Sequence, residues 1–202
     1  MREVRLNDIN GKSAGNIDYV LVSYDRDGNA VDFGSLEIQG VYISGNITRP
    51  FKHYMENRSK RADMDWSKQP HYPRPDYLSS SRKRLAPQLI YKGGILKSWN
   101  KKQAVALQKN FFKTIPDLPP ATNPKDADMA WFIYDLIFSK GSNQYELVLS
   151  DVVFTFFKPA LDEILTPQPG KLNNFMGELQ SKLDQELSSS PDVPIFTDIT
   201  SK

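Results

Sequence analysis

Residues Gly15–Gln39 read GNIDYVLVSYDRDGNAVDFGSLEIQ, and their order predicts two strands joined by a turn. An apolar run, Tyr19-Val20-Leu21-Val22, follows Asp18, and Asp27-Gly28 is a hairpin-type dipeptide that folds the next segment back. The expected strands are Ile17–Tyr24 and Gly34–Ile43, with Val31 and Phe33 leading into the second. Side chains on a strand alternate faces, so Glu37 and Gln39 project together while Ile38 is expected to face the other way, into a core. If the two strands are neighbours, Asp18, Glu37 and Gln39 point into one small volume. Two carboxylates meeting across a hairpin suit a hard divalent cation, which takes oxygen ligands, and the Ile38 carbonyl offers a third oxygen. A cation held this way polarises a phosphate and lowers the pKa of a bound water, with Gln39 beside the attacking water. The plain alternative for the same spacing is a solvated outer face of a hairpin.

Composition bounds the rest. The chain has 202 residues, enough for one domain with a real core, and 39% hydrophobic with 25% charged residues is a globular balance. With no cysteine, disulfides and thiolate metal sites are excluded. No apolar run of about 18 residues is present to span a membrane, and the chain is expected to be cytoplasmic. The net charge of +2 conceals a segregation: residues 49–102 carry 14 basic and 4 acidic residues, whereas residues 117–202 carry 6 basic and 13 acidic. Charge clustered in this way is an electrostatic footprint for a polyanion. Its expected phosphate-gripping members are Arg49, Lys52, Arg58, Lys60, Arg61, Arg82, Lys83 and Arg84. His53 and His71 lack ligand-spaced partners.

Asp18 within GNIDYVLV, followed by Glu37-Ile38-Gln39 within LEIQGVYISGN, resembles the core of the PD-(D/E)xK nucleases in the variant with glutamine in place of lysine. The likeness is greatest to the NotI restriction endonuclease family, and it continues through ITRPFKHYM at residues 47–55 and DMAWFIYDL at residues 128–136. The resemblance implies an α/β (α+β) fold, a restriction-endonuclease-like mixed sheet core flanked by helices. It implies Asp18, Glu37, Gln39 and Asp8 as catalytic residues, Asp8 matching an acid that the family places about ten positions before the first carboxylate. Asp18, Glu37, the Ile38 carbonyl and Asp8 would then hold Mg2+. The implied activity is type II hydrolysis of phosphodiester bonds at a palindromic, GC-rich site in double-stranded DNA by a homodimer, with a cognate DNA methyltransferase as functional partner. Similar enzymes also carry a helix before the first strand and a four-cysteine module. Here only Glu3 and Asp8 precede the strand as acids, so a shortened or C-terminal form lacking that helix or module is expected. A non-catalytic or degenerate DNA-binding remnant is the alternative.

Along the chain, Met1–Leu6 fits either a strand or the stump of a helix. Ser79–Trp99 reads as two helical pieces broken at Gly93-Gly94, with serines as N-caps and Arg82-Lys83-Arg84 at the start, where positive charge opposes the helix dipole. Lys101–Ile115 reads as an amphipathic helix. Met129–Phe138 and Tyr145–Phe157 read as a hairpin whose Trp131, Phe132, Tyr134, Phe138, Phe154, Phe156 and Phe157 form the main core. Pro159–Leu165 is a short helix, and Lys171–Leu187 carries an apolar stripe at helical spacing that closes the domain or pairs with a second subunit. The expected division is a nuclease-like domain over residues 1–187, with a basic insertion at about 49–102, and a loose tail over residues 188–202.

Overall fold

Six segments hydrogen-bond into one mixed sheet, and burial alternates with period two along residues 35–39, 103–108 and 129–134. In the computed structural model, which describes residues 1–166 and 169–189, β1 (Arg2–Asn7), β2 (Ser13–Tyr24) and β3 (Ala30–Gln39) form an antiparallel meander. Two short strands, β4 (Tyr42–Ser44) and β5 (Arg74–Asp76), pair with each other outside the main sheet. The sheet continues with β6 (Gln103–Gln108), β7 (Met129–Ser139) and β8 (Gln144–Thr155), in the spatial order β1-β2-β3-β6-β7-β8. Here β6 is parallel to both β3 and β7, and β8 returns antiparallel. Parallel neighbours need long crossovers. The first spans residues 40–102 and includes the basic block.

The helices are α1 (Thr48–Glu56), α2 (residues 77–98), α3 (Lys109–Phe112), α4 (Phe157–Leu165) and α5 (Leu172–Ser189). Leu85 and Leu89 of α2, Phe111 of α3 and Phe157 and Ala160 of α4 cluster with Val105, Leu107, Met129 and Trp131 of the sheet. A second cluster joins Leu96 of α2 to Leu6, Ile17 and Val20 of β1 and β2. Met1–Thr166 is one compact unit. Helix α5 belongs to a separate unit, residues 167–202, with Leu172, Phe175, Met176, Leu179, Leu183 and Leu187 at helical spacing along it. From residue 190 onward the expected loose tail lies outside the described residues.

Several expectations are corrected. The stretch expected as a helix over Lys101–Ile115 is instead the central strand β6 followed by the single-turn α3. Gln103, Val105 and Leu107 are buried while Ala104 and Ala106 are half-buried, so the segment alternates with period two. Pairing on both edges wins over its helical propensity. Met1–Leu6 resolves as an edge strand. The break at Gly93-Gly94 is absent: both glycines are helical, and α2 runs on as α turns alternating with wider π turns at Ser81–Leu85 and Leu89–Gly93. Its N-cap is Asp76, whose carboxylate accepts the Ser79 amide at 2.9 Å. Arg82–Arg84 therefore sit inside the helix rather than at its positive end. Of the aromatic set expected as the main core, Trp131 and Phe157 are buried; Phe138 is exposed near the tip of the β7–β8 hairpin, where burial falls away along both strands, and Phe156 is exposed at the N-cap of α4.

Gly93 allows the close approach of α2 to the sheet. A Cβ there would stand 2.6 Å from Phe157 Cε2 and 2.7 Å from Gln103 Oε1, whereas one at Gly94 would meet nothing within 4 Å. Gly93→Ala is expected to lose about 1–3 kcal/mol of unfolding free energy through overpacking. Gly94→Ala, in the same helix, is expected to gain up to about 1 kcal/mol from helix propensity. Urea denaturation of the two variants checks the contrast, and equal effects would contradict this packing.

Candidate active site

Strand β3 places Ser35, Glu37 and Gln39 on the helix-covered face, in register with Gln103, Val105 and Leu107 of β6. Ile38, expected in a core, points the other way and is 55% exposed. The inner face of the sheet is the face that α2 and α4 cover, so the polar triplet is buried and the isoleucine is not.

Asp18 is brought to this triplet. Tyr19 pairs with Leu36, so Asp18 stands level with Glu37, and its Oδ2 accepts the Ile38 amide at 2.8 Å. In an extended strand the N–H and C=O of one residue project to the same edge. The Ile38 carbonyl therefore shares the edge that Asp18 faces.

Glu37 is 1% exposed. Its Oε2 accepts a 2.6 Å hydrogen bond from the ammonium of Lys92 on α2, which also donates to the Asn16 carbonyl of β2 at 2.8 Å. Glu37 Oε1 has no protein partner. Burial pushes the Glu37 carboxyl above its ordinary value, with the Asp18 charge adding to the rise; the Lys92 ammonium acts against it. Gln39 is 5% exposed; its Nε2 donates to the Gly40 carbonyl at 2.7 Å and its Oε1 is unpartnered. Ser35 Oγ and both polar atoms of the Gln103 side chain are likewise buried without a protein partner. Without a water or ligand to meet it, each such atom would cost about 1–3 kcal/mol. A row of them on the inner face of a sheet marks a surface shaped for something other than stability.

Asp8 is not brought to the pair. It lies in the β1–β2 turn, where its Oδ1 accepts the amides of Asn10 at 2.9 Å and Lys12 at 2.8 Å. The β1–β2 register sets Glu3, not Asp8, level with Asp18, which leaves Asp8 five residues away, about 16 Å along the strands. Glu3 itself is exposed and has φ 51°. Among the described residues no third Asp, Glu, His or Cys joins Asp18 and Glu37 as a metal-binding group. The oxygens present still fit one hard cation: two carboxylates, one of them with an orphaned oxygen, and a backbone carbonyl on the shared edge.

The expected DNA-contacting residues fall in two places. Arg49 and Lys52 lie on α1, and Arg58, Lys60 and Arg61 follow it. All are exposed except Arg61, which binds the His53 carbonyl and pairs with Glu56 at 2.9 Å. Arg82, Lys83 and Arg84 are exposed on α2, with the Arg84 guanidinium 4.0 Å from the Tyr42 ring centroid. Lys92 lies outside the acid and E-x-Q motif. Its signal was present in the spacing of Leu85, Leu89, Lys92 and Leu96, which sets a lysine within an apolar helix stripe. A lysine in such a place needs a buried anionic partner.

A mixed sheet flanked by helices, with an acid on its second strand and a buried E-x-Q triplet on its third, is a restriction-endonuclease-like fold. The family model described as restriction endonuclease NotI matches residues 1–147, and the chain belongs to the NotI restriction endonuclease family. No curated protein sequence matches it. The family makes the chain a nuclease relative that binds DNA. Among the described residues no helix is long and apolar enough to cross a membrane.

Removing Lys92 strands a buried carboxylate. Lys92→Met is expected to cost about 3–5 kcal/mol near neutral pH. Because the Glu37 pKa is raised on folding, its protonated form is the one the fold favours. The loss in Lys92→Met is thus smallest below the ordinary carboxyl value of 4.5 and grows as pH rises through the raised Glu37 pKa. The double variant Glu37→Gln/Lys92→Met, which removes both charges, is expected to recover most of the stability and to lose the pH dependence. Denaturation curves across that range decide it.

Proposed function

We propose that this chain is a type II endonuclease that hydrolyses phosphodiester bonds of double-stranded DNA with Mg2+, leaving a 5′-phosphate and a 3′-hydroxyl. The observation that carries the reading is the meeting of Asp18 with Glu37 across β2 and β3, next to an orphaned Glu37 oxygen. Asp18, Glu37 and the Ile38 carbonyl would hold the cation. When bound, it supplies Lewis-acid polarisation of a phosphate oxygen and a more acidic water.

This chain's own residues do the rest. The Ile38 amide holds the Asp18 carboxylate in place, and the unpartnered Gln39 Oε1 is a fixed acceptor for orienting a water beside the carboxylates. Arg49, Lys52, Arg58, Lys60, Arg82 and Lys83 extend exposed cationic side chains on the crossover between β3 and β6, suited to backbone phosphates. A homodimer reading a palindromic site is part of the proposal, because a two-fold protein would match the two-fold symmetry of such DNA. A cognate methyltransferase protecting host DNA, and action in the cytoplasm, complete the proposal.

Asp18→Ala and Glu37→Ala are expected to lower plasmid cleavage by at least about 10³-fold while duplex binding stays within about threefold. If the unmodified chain binds duplex DNA but never nicks it with Mg2+ or Mn2+, it is a DNA-binding remnant of such an enzyme. Reversing the charges at Arg82, Lys83 and Arg84 is expected to weaken binding and to flatten the salt dependence by about 0.9 log units per lost phosphate contact. An unchanged slope in filter binding would show that this block is only a solvated helix face.

A further inference from the structure

Lys92 is absent from the motif, yet it is the side chain most tightly tied to it. Its ammonium touches both strands that carry the candidate carboxylates: Glu37 Oε2 on β3, and the carbonyl of Asn16 on β2, two residues before Asp18. The pair is nearly closed to solvent, with the Lys92 side chain 4% and the Glu37 side chain 2% exposed. Its stem is seated as well: a Cβ at Gly15, where φ is 111°, would lie 3.6 Å from Lys92 Cδ. The helix that delivers it is held down at the next residue by the Gly93 contact with Phe157 and Gln103.

The consequence lies in which oxygen is used. Lys92 occupies Oε2 and leaves Oε1 as the Glu37 oxygen without a protein partner. We propose that Lys92 is a positioning residue: anchored between β2 and β3, it holds Glu37 in one orientation and reserves Oε1 for a single divalent cation shared with Asp18. This rests on the metal-dependent reading of the preceding subsection. The ammonium and the cation then bind Glu37 together, one on each oxygen. Lys92 does not act as a stand-in that the metal must expel.

Cation binding to the full chain without DNA tests the idea, by calorimetry with Mn2+ on the wild type, Lys92→Met and Lys92→Arg. The wild type is expected to bind Mn2+. Lys92→Met, checked for a cooperative melt, is expected to bind about 10- to 100-fold more weakly, the usual effect of losing a partner that orients a metal ligand. Lys92→Arg, which retains a cationic donor, should recover most of that loss. A merely charge-balancing lysine predicts the reverse, because deleting a positive charge beside a cation site tightens binding. Equal or tighter binding by a folded Lys92→Met therefore overturns the proposal.

Should Lys92→Met not fold, the native protein decides the matter. The slowly exchanging 15Nζ–H signal of the buried Lys92 ammonium is expected to persist when Mg2+ saturates the site. Its loss to solvent exchange on adding Mg2+ means that the metal displaces the lysine, and overturns the inference while leaving the metal reading intact. A wild type that binds neither Mn2+ nor Mg2+ sinks the metal reading first, and this inference with it.

Discussion

The contact between Lys92 and Glu37 sets terms that the surrounding fold has to meet. Two opposite charges at 2.6 Å, both nearly sealed from water, forfeit hydration worth several kcal/mol per ion even after relaxation. Their attraction offsets that cost only when the geometry is good and the remaining hydrogen-bonding capacity is used, and the Asn16 carbonyl meets part of it. Several otherwise odd features follow from seating the pair. Helix α2 passes through two glycines without breaking, comes close to the sheet at Gly93, and packs the Lys92 stem over Gly15. Lys92 and Gly93 themselves lie in a π turn, Leu89–Gly93, with another upstream at Ser81–Leu85, and such widened turns occur often at functional sites.

The inner face of the sheet shows two chemistries side by side. Toward β7 it is an ordinary apolar core of Val105, Leu107, Met129 and Trp131, with the Trp131 indole bonded to Thr155 at 3.0 Å. Toward β3 it becomes a polar row of Ser35, Glu37, Gln39 and Gln103, much of it without protein partners. A fold selected only for stability would fill those positions with aliphatic side chains. One helix links this interior to the surface, since α2 turns Lys92 inward and Arg82 and Lys83 outward.

Hairpins were the legible part of the fold. Asp27-Gly28 between alternating runs, and the polar break between two aromatic-rich runs after Met129, are local signals, and both β2–β3 and β7–β8 form as antiparallel pairs. Strand β6 was not legible as a strand because its identity is decided by neighbours far away in sequence: β3 on one edge and β7 on the other. The same blindness to partners placed a break at Gly93-Gly94, where packing against Phe157 and Gln103 holds the helix continuous.

The sequence alone determined the spacing of the candidate centre: an acid entering one strand, an E-x-Q triplet on the next, and a turn to join them. Strand periodicity then required Glu37 and Gln39 to share a face, and they do. Which face lies inside is a property of the helices that cover the sheet, and only the tertiary structure decided that Glu37 is buried while Ile38 meets solvent. Asp8 shows the same limit, since nearness in sequence puts it before Asp18 but the β1–β2 register carries it to the far end of the strands. Lys92 shows the converse: 55 positions from Glu37, it reaches the carboxylate because a long crossover helix folds back over the sheet, and a buried charge must find its counter-charge wherever the chain brings one.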